Sequence, residues 1–152
     1  MKLTPAAESE RRILDTLKLH DEHESAMLDS YRQFVEEIDD PGVKFLGHMI
    51  MEDEERHHQL LREMESRIDS WLNHANPEAG TPTLSPHVDR DLLDKTRELI
   101  ALERKDAKEL RLLYRELASI PPTSLLPLLV KIMLHNTAKH IEMLRFVRSY
   151  TG

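Results

Sequence analysis

Four stretches of the chain carry apolar residues at steps of three and four, which is the period of one face of an α-helix. Before three of these stretches, an oxygen-bearing residue stands directly before a proline, a pair that is typical of a helix start. The pairs are Thr4-Pro5, Asp40-Pro41 and Ser85-Pro86, and a fourth start is expected near Thr123 or Ser124. We therefore predict helices over about residues 5–38, 42–73, 86–118 and 124–149.

Polar residues interrupt the predicted apolar line of each helix near its middle. The predicted line of the second helix is Leu46, Ile50, Glu54, His57, Leu61, Met64 and Ile68, and that of the fourth is Leu129, Met133, Thr137, His140, Leu144 and Val147. The interruptions in the first and third helices are His20, Glu24 and Glu103. We expect these polar side chains to face the interior at a similar level.

The chain also contains an internal repeat. A shift of 83 positions places Tyr31 on Tyr114 and His57 on His140 without a gap. The repeat predicts two helical hairpins, joined by a linker at about residues 74–85. About 13 extended residues reach about 43 Å, which is close to the length of a 30-residue helix at about 1.5 Å per residue. The predicted fold is therefore a single all-α domain over 1–152, a four-helix bundle with a long crossover between helices 2 and 3.

Composition narrows the possible chemistry. The chain has no cysteine, which excludes disulfides, thiolate metal sites and iron–sulfur clusters. Its net charge is −7, so we expect no nucleic acid among its partners. The longest apolar run, 125–134, is too short to span a bilayer, and the first residues lack the apolar core of a signal peptide. We therefore expect no membrane association and a cytoplasmic location.

The polar interruptions predict a metal site. Burying several carboxylates together is costly because they lose water and repel one another, and a divalent cation removes that cost. Carboxylate and imidazole ligands suit iron, manganese or zinc. In helix 2 the pair Glu54 and His57, three residues apart, aims both groups to one side, and Glu55 with His58 is the alternative register. The candidate ligands are Glu24, Glu54, His57, Glu103, His140 and His20.

These motifs resemble the ferritin-like superfamily, in particular its rubrerythrin and bacterioferritin-type branches. Glu24 followed by Tyr31 looks like the first-helix motif of that family, and Glu54 with His57 looks like its Glu-x-x-His motif. The resemblance implies a centre of two iron ions, with manganese or zinc as alternatives, that carries out oxidoreductase chemistry with O₂ or peroxide. It also implies Glu54 as the bridging ligand and a homodimer or larger homo-oligomer.

The second half departs from the family pattern. At the shift of 83, Glu24 falls on Ala107 and Glu54 falls on Thr137, so Glu103 would have to substitute, with Asp53 and Asp106 restoring charge. One alternative is therefore a degenerate scaffold that acts as an interaction module with one metal or none. Trp71 or the segment 146–150 would then supply an interface. A second alternative is a hemerythrin-like bundle that binds O₂.

Overall fold

The computed structural model describes residues 5–74 and 90–151, and all regular structure within those ranges is helical. This confirms the predicted all-α class. The helices are α1 (Pro5–Glu37), α2 (Pro41–His74), α3 (Arg90–Glu116) and α4 (Leu126–Thr151), with a short 3-10 turn at Leu117–Ser119. The predicted start of α3 near Ser85 and most of the predicted linker lie outside the described residues. Among the described helices, none is both long enough and apolar enough to cross a membrane.

Local hydrogen bonds explain where two of the helices begin. Asp40 caps α2, because its Oδ1 accepts a hydrogen bond from the Val43 backbone N–H at 2.9 Å, and Pro41 takes the first helical position. Ser124 plays the same part for α4, since its Oγ accepts from the Leu126 N–H at 3.3 Å. These contacts confirm the starts predicted at Asp40-Pro41 and near Ser124.

The chain divides into two compact units, each built around one hairpin. Helix α1 packs against α2, and α3 packs against α4. The short connections between the helices of each pair make both hairpins antiparallel. The further prediction, that the two hairpins join into one four-helix bundle domain, stays a prediction.

Each hairpin is held by a narrow seam of covered side chains that alternate at steps of three and four. This is the spacing of a coiled coil, in which two residues of every seven face the partner helix. In the first hairpin the seam consists of Leu14, Leu17, Asp21, Glu24, Leu28, Tyr31 and Val35 of α1, with Gly47, Met51, Glu54, His58, Leu61, Glu65 and Ile68 of α2. In the second it consists of Leu93, Thr96, Ile100, Glu103, Ala107 and Leu110 of α3, with Val130, Leu134, Thr137, Ile141 and Leu144 of α4.

The seam corrects the predicted apolar lines of α2 and α4. At four positions in α2 it passes through the residue after the predicted one, so Gly47, Met51, His58 and Glu65 take the places of Leu46, Ile50, His57 and Met64. In α4, Val130, Leu134 and Ile141 take the places of Leu129, Met133 and His140. The prediction was wrong there because the neighbouring row is also largely apolar, and steps of three and four pass easily from one row to the other.

The seam also corrects the gapless repeat. Seam positions of α2 match those of α4 at the predicted shift of 83, but those of α1 match α3 at a shift of 79. Glu24 therefore corresponds to Glu103, not to Ala107. The longer connection between α3 and α4, which contains Pro121 and Pro122, accounts for the difference of four residues.

A second row of apolar residues, here called the apolar row, runs beside the seam on every helix. Its members lie at multiples of seven residues from the positions directly before Leu14, Met51, Leu93 and Leu134 of the seam, and most are exposed. Each hairpin has two apolar rows, one on each helix, and both precede equivalent seam positions. The two apolar rows therefore lie on the same side of the hairpin. Exposed apolar members are Ile13, Met27 and Phe34 in α1, Val43, Ile50 and Met64 in α2, Leu92, Leu99 and Leu113 in α3, and Leu126 and Met133 in α4.

At Gly47 the backbone of α2 lies close to a side chain of α1. A Cβ atom at this position would lie 2.7 Å from Cγ2 of Val35, and the β-branched valine has little freedom to move away. The glycine therefore allows the two helices to pack together near their connection.

We expect Gly47→Leu to destabilise the protein. Overpacking costs about 1–3 kcal/mol, whereas leucine recovers at most about 1 kcal/mol as a better helix former than glycine. Urea unfolding followed by circular dichroism would show a lower midpoint. The neighbouring exposed residue offers a control, since His48→Leu should change the free energy of unfolding by about 0.5 kcal/mol or less. An unchanged or raised midpoint for Gly47→Leu would show that the helices do not approach closely here.

Candidate metal centre

Two glutamates from facing helices meet in the seam of the first hairpin. Glu24 comes from α1 and Glu54 from α2, and their side chains are only 9% and 17% exposed. One oxygen of each carboxyl group lies within 4.8 Å of the other. One oxygen of each, Oε2 of Glu24 and Oε2 of Glu54, is buried without a hydrogen-bond partner. An unpartnered buried carboxylate oxygen is costly, so this pair is an unusual feature for a helical seam.

Glu54 holds its proton more tightly than an isolated glutamate would. Hydrogen bonding with the Glu24 carboxyl group raises the pKa of Glu54 most, followed by burial and the negative charge of Glu24. His57 opposes these effects and lowers the same pKa. A negative charge on Glu24 therefore makes Glu54 harder to ionise.

Histidines stand beside both glutamates on the side of the hairpin that carries the apolar row. His57 Nδ1 lies 3.7 Å from Glu54 Oε2, and His20 Nε2 lies 3.3 Å from Glu24 Oε1. Ligand atoms of Glu24, Glu54 and His57 all lie within 4.8 Å of one another. Three ligands of one metal ion at about 2.0–2.2 Å lie about 3–4 Å from one another. The side chains must therefore draw together by up to about 1 Å to share one ion, and the half-exposed His57 ring can make part of that movement.

The exposure of the histidines differs from the prediction that they face the interior. The side chains of His20 and His57 are 57% and 55% exposed. Both belong to the apolar row, where they interrupt the series of Ile13 and Met27 in α1 and of Ile50 and Met64 in α2. The imidazoles thus lie at the solvent-exposed edge of the site, and the carboxylates lie deeper, between the two helices.

The alternative register, Glu55 with His58, does not form a joint site. Glu55 is exposed on the opposite side of α2, where Oε1 lies 3.7 Å from Nη2 of Arg32. His58 lies in the seam instead, with Nδ1 3.0 Å from Oδ1 of Asp21. The structure therefore brings His57, and not His58, to the Glu24–Glu54 pair.

A further polar group in the same seam was missed by the sequence prediction. Besides His58 and Asp21 it includes Glu65, whose pKa is raised by burial and then by the charge of Asp21. Oε1 of Glu65 is buried without a hydrogen-bond partner, while the buried His58 Nδ1 and Asp21 Oδ1 form an ion pair with each other if the imidazole is protonated. Asp21, His58 and Glu65 continue the steps of three and four that include Glu24 and Glu54. This spacing could have predicted them from the sequence.

The second hairpin brings together Glu103 and His140, whose Oε1 and Nδ1 atoms are 3.3 Å apart. At the seam position that corresponds to Glu54 stands Thr137, whose hydroxyl lies 3.0 Å from both Asp106 Oδ2 and the Met133 carbonyl oxygen. Within the described part of the chain, no third ligand atom joins the Glu103–His140 pair at the spacing found in the first hairpin. The second hairpin thus has a glutamate and a histidine at the positions of Glu24 and His57, but a threonine at the position of Glu54.

Comparison of the chain with models of protein families, with curated proteins and with solved structures finds no match. The resemblance to ferritin-like proteins therefore depends on the motifs alone. The assignment of a function depends on the chemistry of the residues described above.

We expect Glu54→Gln to stabilise the metal-free protein at neutral pH. A carboxyl group with a raised pKa in the folded state stabilises the fold at low pH, and that contribution is lost as the pH rises through the folded-state pKa. Glutamine retains a hydrogen-bonding group and cannot ionise. The stabilisation should be on the order of 1 kcal/mol at about pH 7 and should shrink towards about pH 4, where the glutamate is increasingly protonated.

Thermal unfolding of both proteins at the two pH values measures this difference. Glu52→Gln, at an exposed position of the same helix, is the matched control and should leave the pH dependence unchanged. A Glu54→Gln protein that is less stable at neutral pH would show that the two carboxyl groups do not repel each other in the fold.

Proposed function

We propose that this chain is a metal-binding protein and that Glu24, Glu54 and His57 hold a divalent transition-metal ion. The observation that carries the proposal is the buried pair of carboxyl groups, each with an oxygen that lacks a partner, with an imidazole nitrogen within 4.8 Å of both groups. Two carboxylates and an imidazole are ligands that iron, manganese and zinc accept.

The electrostatics of the pair support this proposal. A cation with two positive charges stabilises the ionised form of both carboxyl groups, because its charge offsets their repulsion and their loss of water. Metal binding would then satisfy both orphan oxygens and remove the repulsion within the seam. The ion would be bound with release of a proton.

The exposure of His57 suggests how an ion would enter. Because about half of this side chain is exposed, the ring can turn without disturbing the seam. His20, 3.3 Å from Glu24, is positioned either as a fourth ligand or as the group that orients the Glu24 carboxylate. Three or four protein ligands would leave coordination positions open for water or a small exogenous molecule.

A centre of two iron ions that reacts with O₂ or peroxide is the stronger form of the proposal, and it follows from the ferritin-like resemblance. Its support in the second hairpin is partial. Glu103 and His140 occupy positions equivalent to Glu24 and His57, while Thr137 replaces Glu54. Asp106 lines the same groove as Glu103 and His140 and would be the remaining carboxylate available to a second ion.

The interaction-module alternative is favoured by a different observation, the exposed apolar row on each hairpin. Rows of this kind are what a four-helix bundle buries, and they also suit a partner helix. This alternative predicts that the chain folds and associates normally without taking up metal.

Titration of the metal-free protein with Fe(II) under anaerobic conditions, and separately with Zn²⁺, tests the proposal. We expect at least one tightly bound ion per chain, with affinity falling by more than about 100-fold in Glu54→Gln and His57→Ala, because each change removes a direct ligand. His23→Ala, an exposed histidine of α1, is the control and should bind as the wild type does.

The number of ions bound per chain distinguishes the dinuclear centre, the single-ion site and the interaction module without metal. Two equivalents would support the dinuclear form, and one would support a site confined to the first hairpin. No binding by a folded chain would contradict the proposal. Since Glu54→Gln should stabilise the metal-free fold, its loss of metal cannot be attributed to unfolding.

A further inference from the structure

Helix α3 carries an arginine at every seventh residue, and all four are exposed. This arginine row consists of Arg90, Arg97, Arg104 and Arg111. Helix α1 carries a matching acidic row at the same spacing, also exposed throughout. The acidic row consists of Glu8, Asp15, Glu22, Asp29 and Glu36.

The arginine row has little to neutralise it within its own hairpin. Arg97, Arg104 and Arg111 each directly follow a seam residue, and the α4 residues in equivalent positions include Lys131 and Arg145 but no acid. In the first hairpin, by contrast, the equivalent side is crossed by an ion pair between Arg32 and Glu55, at 3.7 Å.

The ion pair found along the arginine row is weak. Arg97 Nη1 lies 3.8 Å from Asp94 Oδ1, and both side chains are well exposed. Like charges that face each other across a pair of helices destabilise it. A partner that brings negative charge to this side would relieve the repulsion.

The charge of the two hairpins is strongly asymmetric. Residues 5–74 contain 8 basic and 18 acidic residues, a net charge of −10. Residues 90–151 contain 12 basic and 8 acidic residues, a net charge of +4. Every copy of the chain therefore carries both a positive and a negative surface.

We propose that the arginine row of one chain docks on the acidic row of a second copy. The spacing of the two rows matches, because seven residues of helix correspond to about 10.5 Å in both. The arginine row is about 31 Å long and the acidic row about 42 Å, so all four arginines can lie within the acidic row. Exposed Leu112 and Leu19, near the respective rows, would add apolar contact.

A second copy fits the arginine row better than a nucleic acid does. A nucleic acid on this row would also meet the field of a hairpin with a net charge of −10 in the same chain. The acidic row instead repeats the spacing of the arginines and is present at equal concentration. Docking in both directions would close a symmetric dimer.

Sedimentation of the full chain, with metal withheld, tests this inference independently of the metal site. We expect self-association at about 0.02 M salt that weakens at least tenfold at about 0.5 M, where screening over a few ångströms removes interactions between exposed charges. Arg104→Glu with Arg111→Glu should abolish association, and so should Asp15→Lys with Glu22→Lys. An equimolar mixture of these two double variants should associate again, because each row then meets one of opposite charge.

Arg12→Glu with Lys44→Glu is the matched control, since it changes the net charge by the same amount as Arg104→Glu with Arg111→Glu, at exposed positions outside both rows. This control variant should still associate. A salt-insensitive dimer, or a mixture of the double variants that stays monomeric, would overturn the proposal. So would a chain that remains monomeric at low salt and binds a short DNA duplex through Arg104 and Arg111.

Discussion

The interaction on which the candidate centre depends is the burial of two carboxyl groups against each other between α1 and α2. Glu24 and Glu54 occupy seam positions that apolar residues would fill at lower cost. The contact with Glu24 and the burial of the group raise the pKa of Glu54, so ionisation of this carboxyl group inside the seam carries a cost. The same arrangement provides two convergent oxygens for a cation, so the cost of burial and the capacity to bind metal have one cause.

A seven-residue repeat organises the remaining features of both hairpins. It places the seam on one side of each helix and the apolar row next to it. Glu24 and Glu54 belong to the seam and His20 and His57 to the apolar row, so imidazoles and carboxylates meet where the two rows adjoin. The arginine and acidic rows follow the same repeat on outer surfaces. One periodicity thus sets the positions of the packing residues, of the candidate metal ligands and, in α1 and α3, of the rows of surface charge.

The sequence was sufficient to predict the helical class, the approximate helix ends within the described residues, and the proximity of Glu24, Glu54 and His57. Capping residues such as Asp40 mark helix starts locally, which is why those predictions succeed. The choice between His57 and His58 as the seam residue required packing information, because adjacent rows are both partly apolar. The relation of Glu24 to Glu103 was hidden by the length of the α3–α4 connection. Asp21 and Glu65 were missed because buried charge gives no apolar signal.

X-ray absorption at the iron edge, on the chain loaded with one equivalent of Fe(II) under anaerobic conditions, tests the central claim most directly. The account predicts a first shell of oxygen and nitrogen at about 2.0–2.2 Å, with outer-shell scattering from at least one imidazole that weakens in His57→Ala. A shell of oxygen alone that is identical in wild type and His57→Ala would contradict the account, because it would show that the ion does not bind at Glu24, Glu54 and His57.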